Sequence, residues 1–243
     1  MSKKGFVYSN SDPLISQKII ALNSNWYYNW GPNMSNIQKN IPFTPMIWSD
    51  KTLIANTTPN LSILNLSNID NSLLGFNEPD NTSQSNMTVD QAAKLWPQLR
   101  STKRRLGSPA TYTNPNNPNS WLYQFMILIN NDVDFITVHW YAPPNPKSLL
   151  NEIDTLYNTY NKPIWITEFS PADWNATLIT PTKYTQQDAI NFMDTIIPQL
   201  NSRSYVERFA WKTRSTSDPH MGFAALFNDD GSLTSVGEAY SKF

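Results

Sequence analysis

The sequence predicts an α/β fold, a closed (β/α)8 TIM barrel forming a single domain over residues 1–243. Three observations point there. Eight short apolar runs alternate with helical patterns from one end of the chain to the other. The runs are apolar almost throughout, as parallel strands covered on both faces must be. The length suits one barrel, and neither an internal repeat nor a low-complexity linker divides it. An open doubly wound sheet is the alternative, but the first turn, GFVYSNSDP, lacks the glycine-rich phosphate loop of that fold.

The elements follow in order. GFVYS (5–9) is the first strand, and Asp12-Pro13 supplies a cap and a first-turn proline for a helix through LISQKIIAL. NWYYNW (25–30) and FTPMIWS (43–49) are the second and third strands, whereas the stretch from Asp50 to Ser72 shows no helical pattern. SLLGFNE (72–78) is the fourth strand. Thr88 and Gln91 form a capping box opening a helix that Pro97 is expected to kink. RLGSPA (105–110) is the fifth strand, and Asn119 is expected to cap the helix SWLYQFMILI. DFITVHWY (134–141) is the sixth, followed by a helix starting at Asn145-Pro146 with Leu149, Ile153 and Leu156 on one face. KPIWITEFS (162–170) and RFAWKT (208–213) are the seventh and eighth, separated by a helix near 185–200.

Composition excludes several classes. A net charge of −1 with 15% charged residues lacks the basic excess of a nucleic-acid binder. No apolar run reaches the roughly 18 residues of a membrane span. The opening MSKKGFVYSN has no apolar signal segment, so extracellular action would require a mature or trimmed form of a secreted chain. Cysteine is absent and histidine occurs twice, so neither a metal site nor a cofactor is expected. The expected state is a monomer, with neither nucleic acid nor membrane as a partner.

In a barrel, chemistry collects at the C-terminal ends of the strands. Those ends carry Tyr8, Tyr28 and Trp30, Trp48, Asn77-Glu78, Ser108, His139-Trp140-Tyr141, Glu168 and Trp211-Lys212. Strand alternation puts Leu74, Phe76 and Glu78 on one face, and Ile164, Ile166 and Glu168 on another. Each row of apolar residues thus ends in a carboxylate. Two carboxylates across one mouth suit glycoside hydrolysis, in which one donates a proton and the other attacks the anomeric carbon. A Schiff-base role for Lys212 would leave both glutamates unexplained.

The motifs GFNEPD, HWY and WITEFS, each ending a predicted strand in that order, resemble glycoside hydrolase family 128, barrel enzymes that cut β-1,3-glucans with retention. The resemblance runs from GFVYSN to the last strand. It implies Glu78 as general acid/base, Glu168 as nucleophile, and Asn77 as the partner of the sugar 2-hydroxyl. His139 and Tyr141 would line the pocket, and Trp140, Trp211, Tyr28 and some of Trp30, Trp48 and Trp174 would bind the sugar. The implied activity is that of a retaining endo-β-1,3-glucanase acting on β-glucan polysaccharide or oligosaccharide. The competing reading is a β-glucan-binding barrel with little or no hydrolytic activity.

Overall fold

A strand buried on both faces needs neighbours on both edges, and the first strand has them. In the computed structural model, which describes residues 3–9, 11–34, 41–55 and 70–243, β1 (Lys4–Val7) lies parallel between β2 (Tyr27–Tyr28) and β7 (Val206–Trp211). The sheet continues through β6 (Ile164–Pro171) to β5 (Ile136–Ala142), in the order β2-β1-β7-β6-β5. A parallel pair, β3 (Ser72–Leu73) and β4 (Arg105–Leu106), completes the strands. Isolated parallel bridges close the ring: Tyr27 to Phe43, Met46 to Leu74, and Gly107 to Phe135. The eight staves are thus those expected, and the fold is the (β/α)8 barrel.

Two staves are weaker than their sequences suggested, for local reasons. Residues 43–49 make single bridges rather than a ladder, and Pro45 lacks the amide that a ladder needs. Pro109 interrupts pairing after β4 in the same way, and a single bridge, Asn77 to Ala110, follows it. At Gly107 a side chain would meet the ring of Phe135 at 2.4 Å, so the absence of a Cβ makes room for that ring.

The barrel has two apolar layers. Val7, Trp26, Tyr28, Met46, Leu74, Phe135, Trp165 and Ala210 fill the inside. The larger cluster joins the outer faces of the strands to the helices, with Phe6, Phe76, Val138, Ile164, Ile166 and Phe209 among its strand members. Near the Arg208–Asp70 ion pair, the Arg208 guanidinium lies 4.2 Å from the Trp165 ring and 5.2 Å from that of Trp26.

Side-chain caps satisfy free amides at the start of most helices. The first is N-capped by Leu14 without such a bond, and the side chain of Asp12, the expected cap, accepts from the Leu14 amide at 2.9 Å instead. The helices are α1 (Ile15–Ala21), α2 (Asp50–Ala55), α3 (Val89–Arg100), α4 (Trp121–Leu128), α5 (Pro146–Tyr160), α6 (Gln186–Ser202) and α7 (Ser235–Lys242). The Thr88–Gln91 capping box forms, and Pro97 stays inside α3. Ser120, not Asn119, caps α4, accepting from the Tyr123 amide at 3.2 Å. Asn145 caps α5 as expected. The expectation of no helix after Asp50 fails for its first part, where α2 begins with Ser49 Oγ accepting from the Lys51 amide. Residues 56–69 lie outside the described residues.

Candidate active site

The two glutamates reach the same cleft by routes that simple alternation does not provide. In β6, Trp165 points into the barrel while Ile164 and Ile166 face the helices, so regular pleating would send Glu168 outward. A β-bulge prevents this. Val138 pairs with Ile166 but His139 pairs with Glu168, leaving Thr167 as the extra residue. Beyond it Glu168 turns inward, and Phe169 packs outward on Phe209 and Trp211.

Glu78 needs a different device. Leu74 belongs to the inner layer, whereas Phe76 packs against Trp96 of α3, so the expected shared face of Leu74, Phe76 and Glu78 does not exist. Instead Glu78 adopts φ 43°, a left-handed backbone that costs a non-glycine residue about 1–3 kcal/mol. Its amide donates to the Ala110 carbonyl at 2.8 Å, which anchors the turn while the carboxyl enters the cleft. Trp30 is likewise left-handed, at φ 58°.

Around Glu168 the donors converge. Oε1 accepts from Tyr28 Oη at 3.0 Å and Trp30 Nε1 at 2.7 Å, and Oε2 accepts from the Tyr141 hydroxyl. The carboxyl is buried, which opposes ionisation. The charges of His139 and Lys212 and the bonds from Tyr141 and Trp30 outweigh burial and hold it below the usual carboxylate range. Tyr28 and Tyr141 are driven well above the ordinary phenol range by burial and by the Glu168 charge, so both stay protonated donors.

His139 stands between the carboxyls. Its Nδ1 is 2.8 Å from Glu78 Oε1, and its Nε2 is 3.3 Å from Glu168 Oε1, the latter out of line for a hydrogen bond. Burial opposes its charge, but Glu168 and Glu78 together raise its pKa above the ordinary imidazole value. Asn77, next to Glu78, donates Nδ2–H to Gln84 at 3.3 Å. Its buried Oδ1 has no partner among the described residues.

The cleft has a volume of about 330 Å³. Of the residues expected there, Trp30, Asn77, Glu78, Tyr141 and Glu168 line it. His139 lines an adjoining pocket with Glu78 and Tyr141, and Tyr28 is buried beneath the Glu168 carboxylate it donates to. Trp48 packs, half-buried, against the inner cluster. Two assignments are corrected. Trp140 stacks on Phe192 of α6, and Trp211 is fully buried against Phe169 and Tyr240, donating Nε1–H to the Ala224 carbonyl. Alternation explains both: His139 and Tyr141 take the inward positions on β5, and Ala210 and Lys212 flank Trp211 on the inward side at the end of β7.

Sequence reasoning missed Tyr112 and Arg214. Tyr112 is 63% exposed on the loop after β4, facing the cleft along with the half-exposed Trp174. Asp80 pins that loop, accepting from the amides of Tyr112 and Thr113, each at 2.8 Å. The signal available was position: Tyr112 lies two residues past the end of the fifth run, and Arg214 two residues past Lys212, on the same face of an extended chain.

A family model described as the glycosyl hydrolase catalytic core matches residues 5–240. The chain belongs to this family. Within it, this glycoside hydrolase is a member of family 128, in agreement with the sequence resemblance. It is 31% identical to a subgroup I endo-β-1,3-glucanase of that family from Amycolatopsis mediterranei, crystallised with laminaritriose. That match covers 100% of this chain and 99% of the other, with a TM-score of 0.85. A subgroup V exo-β-1,3-glucanase from Cryptococcus neoformans shares the fold at a TM-score of 0.77 and 24% identity, over 99% and 98% of the two chains. Alkali-sensitive linkage protein 1 of Schizosaccharomyces pombe is 28% identical over 258 residues, which span 98% of this chain and 44% of that protein. The hydrolase chain therefore spans less than half the length of this curated relative.

Proposed function

We propose that this glycoside hydrolase cuts β-1,3-glucan internally and with retention, using Glu168 as nucleophile and Glu78 as general acid/base. The observation that carries the reading is the unequal surroundings of the two carboxyls. Glu168 accepts three hydrogen bonds and sits beside His139 and Lys212, so it stays ionised and can attack. Among the described residues the Glu78 side chain bonds to His139 alone, and it otherwise faces the cleft, as a group that exchanges a proton must.

In the first step a Glu168 oxygen bonds to the anomeric carbon as the glycosidic C–O bond breaks. The departing oxygen takes the proton held by the Glu78–His139 pair, through Glu78. Water then gives a proton to Glu78 while its oxygen displaces Glu168 from the anomeric carbon. Two inversions leave the β configuration. The unpartnered Asn77 Oδ1 is available to the sugar 2-hydroxyl, a bond that strengthens as positive charge grows at the ring. Tyr112 and Trp174 offer exposed ring faces to neighbouring glucosyl units. The family relatives support the choice of substrate, since the A. mediterranei enzyme was crystallised with laminari-oligosaccharides.

Incubation with laminarin tests the reading. New reducing ends, internal scission of long chains and β-configured first products by NMR are expected, all lost in Glu168→Gln. Oligosaccharide binding without release of product would instead support a glucan-binding barrel, and α-configured first products would overturn retention.

A further inference from the structure

We propose that Lys212 is a positioning residue that holds Glu168 in its ionised, attacking form by acting through Trp30. Lys212 lies just beyond β7 on the inward side, and its Nζ is 3.9 Å from the centroid of the Trp30 ring. The edge of the same indole donates Nε1–H to Glu168 Oε1 at 2.7 Å. An ammonium on an indole face is attracted to the π cloud and draws electron density from the ring, which makes the N–H a stronger donor. The carboxylate thus meets a polarised donor whose ring carries a positive charge on its face. Trp30 holds both contacts in a left-handed backbone at φ 58°, where a bulky residue is strained, so the surrounding contacts hold the arrangement against its own preference.

The other groups facing Glu168 do not duplicate this role. Tyr28 and Tyr141 are neutral donors from β2 and β5, and Glu78 is the second acid. His139 is a cation only while protonated, and it shares its proton with Glu78, the group that exchanges protons in the reaction. Lys212 forms no ion pair within 4 Å among the described residues, and the carboxylates whose charges act on it are Glu168 and Glu78. Burial draws the Lys212 pKa down and Arg214 adds to that, while Glu168 and Glu78 oppose it. Unlike the imidazole, this ammonium makes no hydrogen bond to Glu78, so its charge is separate from the proton exchanged in the reaction.

The inference rests on the assignment of Glu168 as nucleophile, and its test reads Glu168 directly rather than through turnover. The protein is labelled at the glutamate side-chain carboxyl carbon, the Glu168 signal is assigned with Glu168→Gln, and its NMR titration is followed. Lys212→Met and Lys212→Gln are expected to raise the Glu168 midpoint by about one pH unit, because loss of a nearby cation makes ionisation harder. Lys212→Arg should restore the parent midpoint, and Lys18→Met, which removes an ammonium paired with Asp12, should leave it unmoved. If laminarin is cut, the acidic limb of kcat/KM should shift by the same amount in the neutral variants. Thermal melts establish that each variant is folded. In the unsubstituted protein, the Trp30 indole N–H resonance should also move as Lys212 loses its proton at alkaline pH. An unmoved Glu168 midpoint in a folded neutral variant, or a failure of Lys212→Arg to restore it, overturns the proposal. A rise in KM alone would make Lys212 a sugar-binding residue and overturn it equally. A protein that cuts no laminarin would sink the hydrolase reading and leave the titration interpretable.

Discussion

Nδ1 of His139 lies 2.8 Å from Oε1 of Glu78, so an imidazole on β5 and a carboxyl beyond β3 share one proton position. The Glu168 charge acts on the far side of the imidazole, and with Glu78 it raises the His139 pKa against burial. His139 binds its proton more tightly in the folded protein than in the unfolded chain, whose value is about 6.5. Its contribution to stability is therefore fully present below about pH 6.5 and lost as pH rises through the higher folded value. Urea unfolding of the parent and His139→Gln should show the parent's advantage shrinking toward alkaline pH. A difference that stays constant with pH would rule out a stabilising imidazolium.

The two glutamates should fail differently. Glu168→Gln removes the bond-forming atom and is expected to lower kcat by about 10⁴ or more on every substrate. Glu78→Gln should cost about 10²–10⁴ on laminarin. On an aryl β-glucoside whose leaving group needs no proton, the first step should lose far less. Steady-state kinetics on both substrates distinguish the roles, and equal losses for Glu78→Gln on the two would remove it as the acid.

Asn77→Ala is expected to lower kcat/KM by roughly a hundredfold, the size of one strong bond to a developing transition state. A 2-deoxy substrate provides the check. It should lose as much with the parent protein as Asn77→Ala loses with the normal substrate, and the two losses should not add.

The tryptophans reassigned to the helix layer make a contrasting prediction. Trp140→Ala and Trp211→Ala should each destabilise the fold by about 3–5 kcal/mol, since both rings are buried against helices. Tyr112→Ala, by contrast, removes an exposed ring at the cleft. It should raise KM severalfold and leave the melting temperature nearly unchanged. Denaturation and kinetics on the three variants would expose any reversal.

What the sequence determined by itself was the order of elements and the chemistry at their ends. Apolar runs, capping residues and proline positions act over a few residues, so the staves, the Thr88 capping box and the Asn145 start of α5 were legible without coordinates. The presence of Glu78, His139 and Glu168 at strand ends was legible for the same reason. Which way each side chain faces was decided by the tertiary structure. One extra residue in β6 reverses every face beyond it, so Glu168 points inward only because Thr167 is bulged against its neighbours. Glu78 faces the cleft only because its backbone is held left-handed by a bond to Ala110. The inward places at His139, Tyr141 and Lys212 send Trp140 and Trp211 to the helices. Pairing between strands distant in sequence sets that phase, and a local pattern cannot encode it.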